Sequence, residues 1–375
     1  MVKTEQEGLV QDNDIDRLPD DQQYPLTYPQ RGVWYLEKIN PDTGIGNLAV
    51  TLKFNQVIDY ALANQAVNLL LAQNEGFRTR IRENPEGEAS QYFAPFEPYV
   101  MPRFDFSLVD REVLYQWDRT EVRRPFELDQ NLFYFAYVKI DSQSSALFMR
   151  FHHLIADAWS FVQIGNDLMA IYDRLSEGQA VNEPENPPYR DFIASEQAYI
   201  GSERYQLDKD FWRNQFSTAP TLTTLKTRTS ERIGLTARRR SYALPEKLTS
   251  KIRDYCHENR TSIFALFFAA MSIYINRIKD QEDIVIGTPV LNRSNAREKR
   301  TIGMFISTVP LRVRIDQHLS FQEFSRKLDT TWFSVLKHQK YPYDLLLRDV
   351  REIFPDVEKL FDIAISYQNG KINRS

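Results

Sequence analysis

The apolar positions of this chain fall into short alternating runs and longer helical stripes. Residues 47–54, NLAVTLKF, alternate apolar and polar with the period of a strand that buries one face. Asp59 precedes residues 60–73, where Leu62, Ala66, Leu69 and Leu70 recur at helical spacing, so the aspartate is placed to cap a helix. Nearer the start, Thr27 stands before Pro29 and an apolar group of Val33, Trp34 and Leu36, which predicts a helix with proline in its first turn. NEGFRTRI, 74–81, turns the chain into another strand. A basic, apolar-poor stretch with Pro85, Gly87 and Pro95 predicts a surface connection, followed by a short helix over 112–119 and a turn at RRPFEL, 123–128. Strands are predicted over 132–140 and 146–151, antiparallel neighbours across the turn at 141–144. Past Asp157, residues Phe161, Val162, Ile164, Leu168, Met169, Ile171 and Tyr172 return to helical spacing.

Residues 178–188 are polar and hold three prolines, which marks a boundary between two lobes. Beyond it the pattern predicts a helical region over 189–215 and a flexible Thr- and Ser-rich linker over 217–232. A strand over 239–244 follows, then helices over 245–259 and 262–279 and a strand over 283–289. A loop to Thr301, a strand over 308–315, helices over 320–338 and 345–353, and a strand over 361–367 close the chain. Strands and helices alternate in both halves, which predicts an α/β fold of layered sandwiches. The expected organisation is an acidic, polar leader over 1–22, an N-terminal lobe over 23–180 and a C-terminal lobe over 181–375. The similar element order of the halves hints at duplication, with no short-period repeat.

Composition narrows the class. At 375 residues, 42% hydrophobic and a formal charge of −4, this is an ordinary globular chain with no basic excess directed at nucleic acid. Its single cysteine, Cys256, excludes internal disulfides and fits a reducing compartment, so a cytoplasmic location is expected. There is no secretory signal, and the longest apolar run, 263–275, contains Ser272 and reads as a buried helix rather than a membrane span. With 13 glycines, no phosphate-cradling loop is formed.

The candidate chemistry sits in residues 150–160, RFHHLIADAWS, where two of the five histidines are adjacent and Asp157 follows His153 by four positions. Neighbouring side chains of a strand point to opposite faces, so one of His152 and His153 is structural and the other is open to chemistry. A neutral imidazole suits a general base near neutral pH. The alternative from local spacing is a satisfied pair of core histidines. Adjacent strand histidines splay apart and no cysteine or third histidine lies nearby, so no metal site is expected.

These motifs, taken together, resemble those of the condensation domain of nonribosomal peptide synthetases. HHLIADA, 152–158, is similar to that family's HHxxxDG. YPQRGVWYL (28–36), NEGFRTRI (74–81), YRDFI (189–193), IGMFISTVPLRV (302–313), HQKYPYDLLL (338–347) and LFDIAISYQN (360–369) resemble its other blocks, in the same order. The resemblance implies two chloramphenicol-acetyltransferase-like lobes in a V-shaped pseudo-dimer with the site at their junction. It also implies amide formation between a thioester-linked donor and a carrier-bound amine. The substrates ride on phosphopantetheine arms of carrier proteins, with no bound metal or cofactor. The expected setting is a multidomain synthetase with carrier and adjacent adenylation domains, the lobe pair being a monomeric piece of it.

By this resemblance His153 is the catalytic residue, as a base or as the group that positions the amine, and His152 is structural. Asp157 is expected to brace the loop through a bidentate pair with Arg293, in GTPVLNR from the other lobe. Arg78, Trp159, Ser160 and Asn369 are expected at the tunnel wall or the intermediate, with Trp159 also read as local packing and Ser160 as a cap. Two departures stand out. Ala158 replaces the motif glycine, where a methyl would crowd a close backbone approach. The chain also stops soon after Asn369, which reads as a shortened C-terminal lobe. The motif HHxxxD argues against a heterocyclising relative. The opening segment, YPLTYPQRGVWYLEKINPDTGIGNLA, is similar to domains that open a synthetase, some of which are starter domains using a fatty acyl group from coenzyme A or a carrier. The competing readings are a free-standing coenzyme A-dependent acyltransferase and a non-catalytic recruitment domain of the same fold.

Overall fold

A computed structural model of the chain describes residues 22–181, 186–226, 235 and 237–370. Residues 1–21 of the expected leader lie outside the described residues. Strand β1 (Tyr24–Pro25) leads into helix α1 (Tyr28–Ile39), whose start is a capping box between Thr27 and Gln30 with Pro29 in the first turn. Then follow β2 (Asn47–Phe54), the Asp59-capped α2 (Tyr60–Gln73), β3 (Thr79–Glu83), β4 (Ala89–Phe93), β5 (Arg103–Asp105) and α3 (Arg111–Arg123). Strands β6 (Phe133–Lys139) and β7 (Ser145–His152) and helix α4 (Ala158–Ser176) complete the first half.

The strands over 132–140 and 146–151 pair antiparallel as expected, and the strand over 47–54 joins them on the other side of β7, in a sheet of order β2-β7-β6-β5. Every residue of β7 is buried, because both faces of the sheet are covered. Leu147, Met149 and Phe151 pack with Ala63, Ala66, Val67 and Leu70 of α2 and Ile164, Leu168 and Ile171 of α4. Ala146 and Phe148 point the other way, toward Leu114 and Trp117 of α3. This alternation carries through to the histidine pair.

The second half holds α5 (Tyr189–Ile200), α6 (Glu203–Gln215), α7 (Glu246–Asn259), α8 (Ile263–Lys279), β8 (Asp283–Val290), α9 (Ala296–Arg300), β9 (Ser307–Arg314), α10 (Phe321–Lys337) and α11 (Tyr343–Ile353). The antiparallel pair β8-β9 packs Ile284, Ile286, Val309, Leu311 and Val313 against Phe264 and Phe268 of α8, Phe324 and Leu328 of α10 and Leu345, Leu346 and Val350 of α11. This cluster is separate from the one around β7. Among the described residues, no single helix is long and apolar enough to cross a membrane.

Four expectations are corrected. Residues 239–244 form no strand: they are irregular, and Tyr242 and Leu244 are exposed, with no partner strand among the described residues. The strand over 361–367 reduces to one parallel bridge, Ala364 with Gly287, flanked by hydrogen bonds through Ile363 and Ile365. The supposed surface connection after Ile81 contains β4, which pairs with both β3 and β1 because Gln91, Ser90 and Ala89 continue the hairpin across Gly87. The described start of the Thr/Ser-rich linker is docked, not free: Thr223 is buried and accepts the amide hydrogen of Val285, and Thr224 donates to Asp362. Residues 227–234 and 236 of that linker, and 182–185 of the expected boundary, lie outside the described residues. The helical region over 189–215 is two helices, broken at Gly201–Ser202, where Ser202 caps α6.

Candidate active site at the end of strand β7

Strand β7 delivers two histidines into different surroundings. His152 is fully buried, in register with Asn47 of β2 and on the side of the sheet that holds Arg150. Its Nδ1 accepts the amide hydrogen of Leu154 at 3.2 Å, so the ring of a neutral His152 carries its proton on Nε2, which meets Glu37 Oε2 at 3.4 Å. His153 turns the other way and is only partly buried. Its amide donates to Gly46 O at 2.7 Å, which fixes the backbone where the strand ends. Its Nδ1 is buried without a hydrogen bond of good geometry. Burial lowers the His153 pKa below the usual imidazole value, opposed by nearby carbonyls and by Asp157, so the ring is neutral at neutral pH.

Asp157 ends the turn and is the N-cap of α4. Its Oδ1 accepts from the Ser160 amide at 2.8 Å and the Ser160 hydroxyl at 2.9 Å. Its Oδ2 accepts from Arg293 Nη1 at 2.6 Å and from the amides of Phe305 and Ile306 at 3.0 and 3.2 Å. Both side chains of this ion pair have no exposed surface. The pair is not bidentate as expected, because Oδ1 is occupied in capping α4. The second guanidinium nitrogen of Arg293 instead donates to Ser160 Oγ and to the carbonyls of Gly303 and Thr301, Nε donates to Glu298 O, and Phe305 lies 4.0 Å beneath the ion. The turn bearing His153 is thereby tied to the segment between β8 and β9.

The other expected residues fall in several places. Ser160 is wholly buried, and its hydroxyl bonds to Asp157, Arg293 and Gly303, so it is a node of the brace and lines no channel. The cap is Asp157, not Ser160, because the helix begins at Ala158. Ala158 is exposed in the first turn of α4 with φ outside the left-handed region, so its methyl meets no crowded backbone. Trp159 does more than pack locally: its Nε1 donates to Lys299 O at 2.9 Å, a second tie between the halves. Arg78 donates to the carbonyls of Leu71 and Ala72, closing the end of α2. Asn369 is exposed, while a Cβ on the next residue, Gly370, would lie 2.7 Å from Val162 of α4.

Several residues around the site were not singled out from the sequence. Glu37 is the acid on the buried stripe Gln30, Trp34, Glu37 of α1, and that placement was its signal. Gly303 lies against the ring of Tyr189, whose hydroxyl donates to Met304 O at 2.7 Å. The amides of Phe305 and Ile306 carry no side-chain signal at all. A cleft of about 320 Å³ runs along α4 from Trp159, with Gln163, Asn166 and Arg174 on the helix and Lys299 and Arg300 opposite.

Comparisons with known proteins place the chain in a family and a fold. The chain is 37% identical to surfactin synthase subunit 1 of Bacillus subtilis (strain 168) over 92% of its own length and 10% of that protein. It is 33% identical to a plipastatin synthase polypeptide of the same organism, over 92% of its length and 14% of that protein. The chain thus spans only about a tenth to a seventh of these two relatives. In three dimensions it is similar to the starter condensation domain of rhizomide synthetase solved with C8-CoA, with a TM-score of 0.82, 22% identity, and coverage of 92% of this chain and 78% of that one. The first condensation domain of the calcium-dependent antibiotic synthetase gives a TM-score of 0.81, 21% identity, and coverage of 93% and 82%. The sequence profile of the Condensation domain family matches residues 20–375, so this chain belongs to the condensation-domain family of nonribosomal peptide synthetases, acyltransferases that form amide bonds.

Proposed function

We propose that this chain joins a thioester-linked acyl donor to the amine of a carrier-bound aminoacyl acceptor, with His153 at the seam between lobes 23–180 and 181–375. The amine nitrogen attacks the thioester carbonyl, the C–N bond forms, the C–S bond breaks, and the thiolate takes up a proton released from the nitrogen. A neutral His153 serves this step by accepting that proton in passing or by holding the amine against the carbonyl. The observation that carries the reading is the position of His153: partly open, neutral, and fixed by a buried ion pair that spans both halves. His152, Asp157, Ser160 and Arg293 hold that position.

The reading includes a starter role, with the donor arriving on coenzyme A or on a carrier arm. The cleft along α4 supports it, since Lys299 and Arg300 on its wall suit the phosphates of either carrier of the thioester. The likeness to a starter domain solved with C8-CoA supports it as well. Carrier and adenylation domains of a synthetase are the partners.

A mass-spectrometric assay tests this by offering octanoyl-CoA and octanoyl-carrier donors to aminoacyl-carrier acceptors and to free amino acids. N-acylated aminoacyl-carrier is the expected product. A folded chain that forms no amide with any donor overturns the amide-forming reading. Product from carrier donors alone overturns the coenzyme A part, and product only with free amino acids points to a free-standing acyltransferase.

A further inference from the structure

Glu37 is an acid buried on α1, and its surroundings form a closed circuit. One of its oxygens, Oε2, accepts the Gly46 amide hydrogen at 3.2 Å and meets His152 Nε2 at 3.4 Å. Gly46 accepts the His153 amide hydrogen through its carbonyl at 2.7 Å, and His152 Nδ1 accepts that of Leu154 at 3.2 Å. The backbone on either side of His153 is therefore held by two arms, and both run back to Glu37. No slack exists in the first arm: a Cβ on Gly46 would lie 2.3 Å from His152 Nε2 and 3.0 Å from Glu37 Oε2.

We propose that Glu37 is a positioning residue for the amide-forming reaction. By accepting from Nε2–H it holds His152 in the one neutral tautomer whose Nδ1 can accept from Leu154, and it sets the height of His153 at the seam. With the acceptor removed, the Leu154 amide alone favours that tautomer, and it does so at the cost of a buried Nε2–H with no partner. A ring protonated on Nδ1 presents a donor to the Leu154 amide, itself a donor, and the turn carrying His153 shifts. The work is done by an acceptor atom and not by a charge. Glutamine in the same rotamer supplies that atom, whereas methionine, similar in length, does not.

The proposal rests on the role given to His153, and its first readout is independent of activity. With only five histidines in the chain, selective ¹⁵N-histidine labelling resolves the tautomer of each ring by NMR. Wild-type His152 is expected as a neutral Nε2–H tautomer. Glu37→Met is expected to convert it to the other tautomer or to a mixture, and to lower kcat by roughly tenfold to a hundredfold with KM for both substrates unchanged. Glu37→Gln is expected to keep the wild-type tautomer and restore most of kcat. A wild-type His152 that is charged, or protonated on Nδ1, overturns the proposal even if Glu37→Met does not fold. So does a folded Glu37→Met with wild-type tautomer and kcat, or a Glu37→Gln as impaired as Glu37→Met. Absence of amide formation by the wild-type chain would remove the reading of the site, while the tautomer measurement would still decide whether the clamp exists.

Discussion

Replacing Asp157 by alanine is the perturbation whose size the structure constrains best. The carboxylate accepts five hydrogen bonds, two from Ser160, one from Arg293 and one each from the amides of Phe305 and Ile306. Its loss removes the N-cap of α4, worth about 1 kcal/mol. It also leaves the Arg293 guanidinium buried with no carboxylate, for which removal of one partner costs about 3–5 kcal/mol. The amides of Phe305 and Ile306 lose their acceptor as well. We therefore expect a loss of about 4–6 kcal/mol, a large share of the roughly 5–15 kcal/mol that holds a typical domain together. A second substitution, Arg293→Met, isolates the ion-pair contribution, because in the double variant no buried charge is left alone. Urea denaturation of the wild type, both single variants and the double variant should show the double variant at least about 2 kcal/mol more stable than the sum of the single losses implies. Additive losses, or an Asp157→Ala loss below about 1 kcal/mol, would refute the claim that this pair clamps the two halves.

Gly303→Ala should destabilise the seam by about 2–3 kcal/mol, because its Cβ would lie 2.2 Å from the buried ring of Tyr189; a thermal melt checks this. Burial pushes the Glu196 carboxyl, which accepts the amide hydrogen of Tyr28, up to about 7. The folded state thus holds this proton more tightly than the unfolded chain, so its contribution is complete below about pH 4.5 and is lost as pH rises through 7, by on the order of 3 kcal/mol. Denaturation midpoints from pH 5 to 8 should fall in the wild type and flatten in Glu196→Gln. Burial depresses the His153 pKa, so kcat/KM should stay level down to the usual imidazole value and decline only below it; a decline centred above pH 7 would contradict a neutral ring.

The helices were legible wherever a cap preceded an apolar stripe. Thr27 and Asp59 cap helices as expected, and the helices expected from 262 and 320 start there, with Ser262 and Ser320 as their caps. The histidine pair was legible too, since strand alternation alone separates His152 from His153. Residues 239–244 misled because Tyr242 and Leu244 alternate as a strand would, yet a strand needs a neighbour to pair with, and periodicity does not reveal one. The Asp157–Arg293 contact, 136 residues apart, followed from motif resemblance and not from spacing. Its geometry was invisible in the sequence, because the backbone amides of Phe305 and Ile306 that share Oδ2 leave no mark on residue identity. Glu37 was overlooked because an acid between Leu36 and Lys38 carries no mark of burial in itself; only its spacing from Trp34 places it on the buried face of α1.

On the reading proposed above, one imidazole, that of His153, carries the reaction. Single-turnover mass spectrometry of His153→Ala, with a donor and acceptor pair that the wild type converts, tests it most directly. A correctly folded variant is expected, with its amide product lost or reduced by at least about a hundredfold. Product formed at the wild-type rate by that folded variant would contradict it.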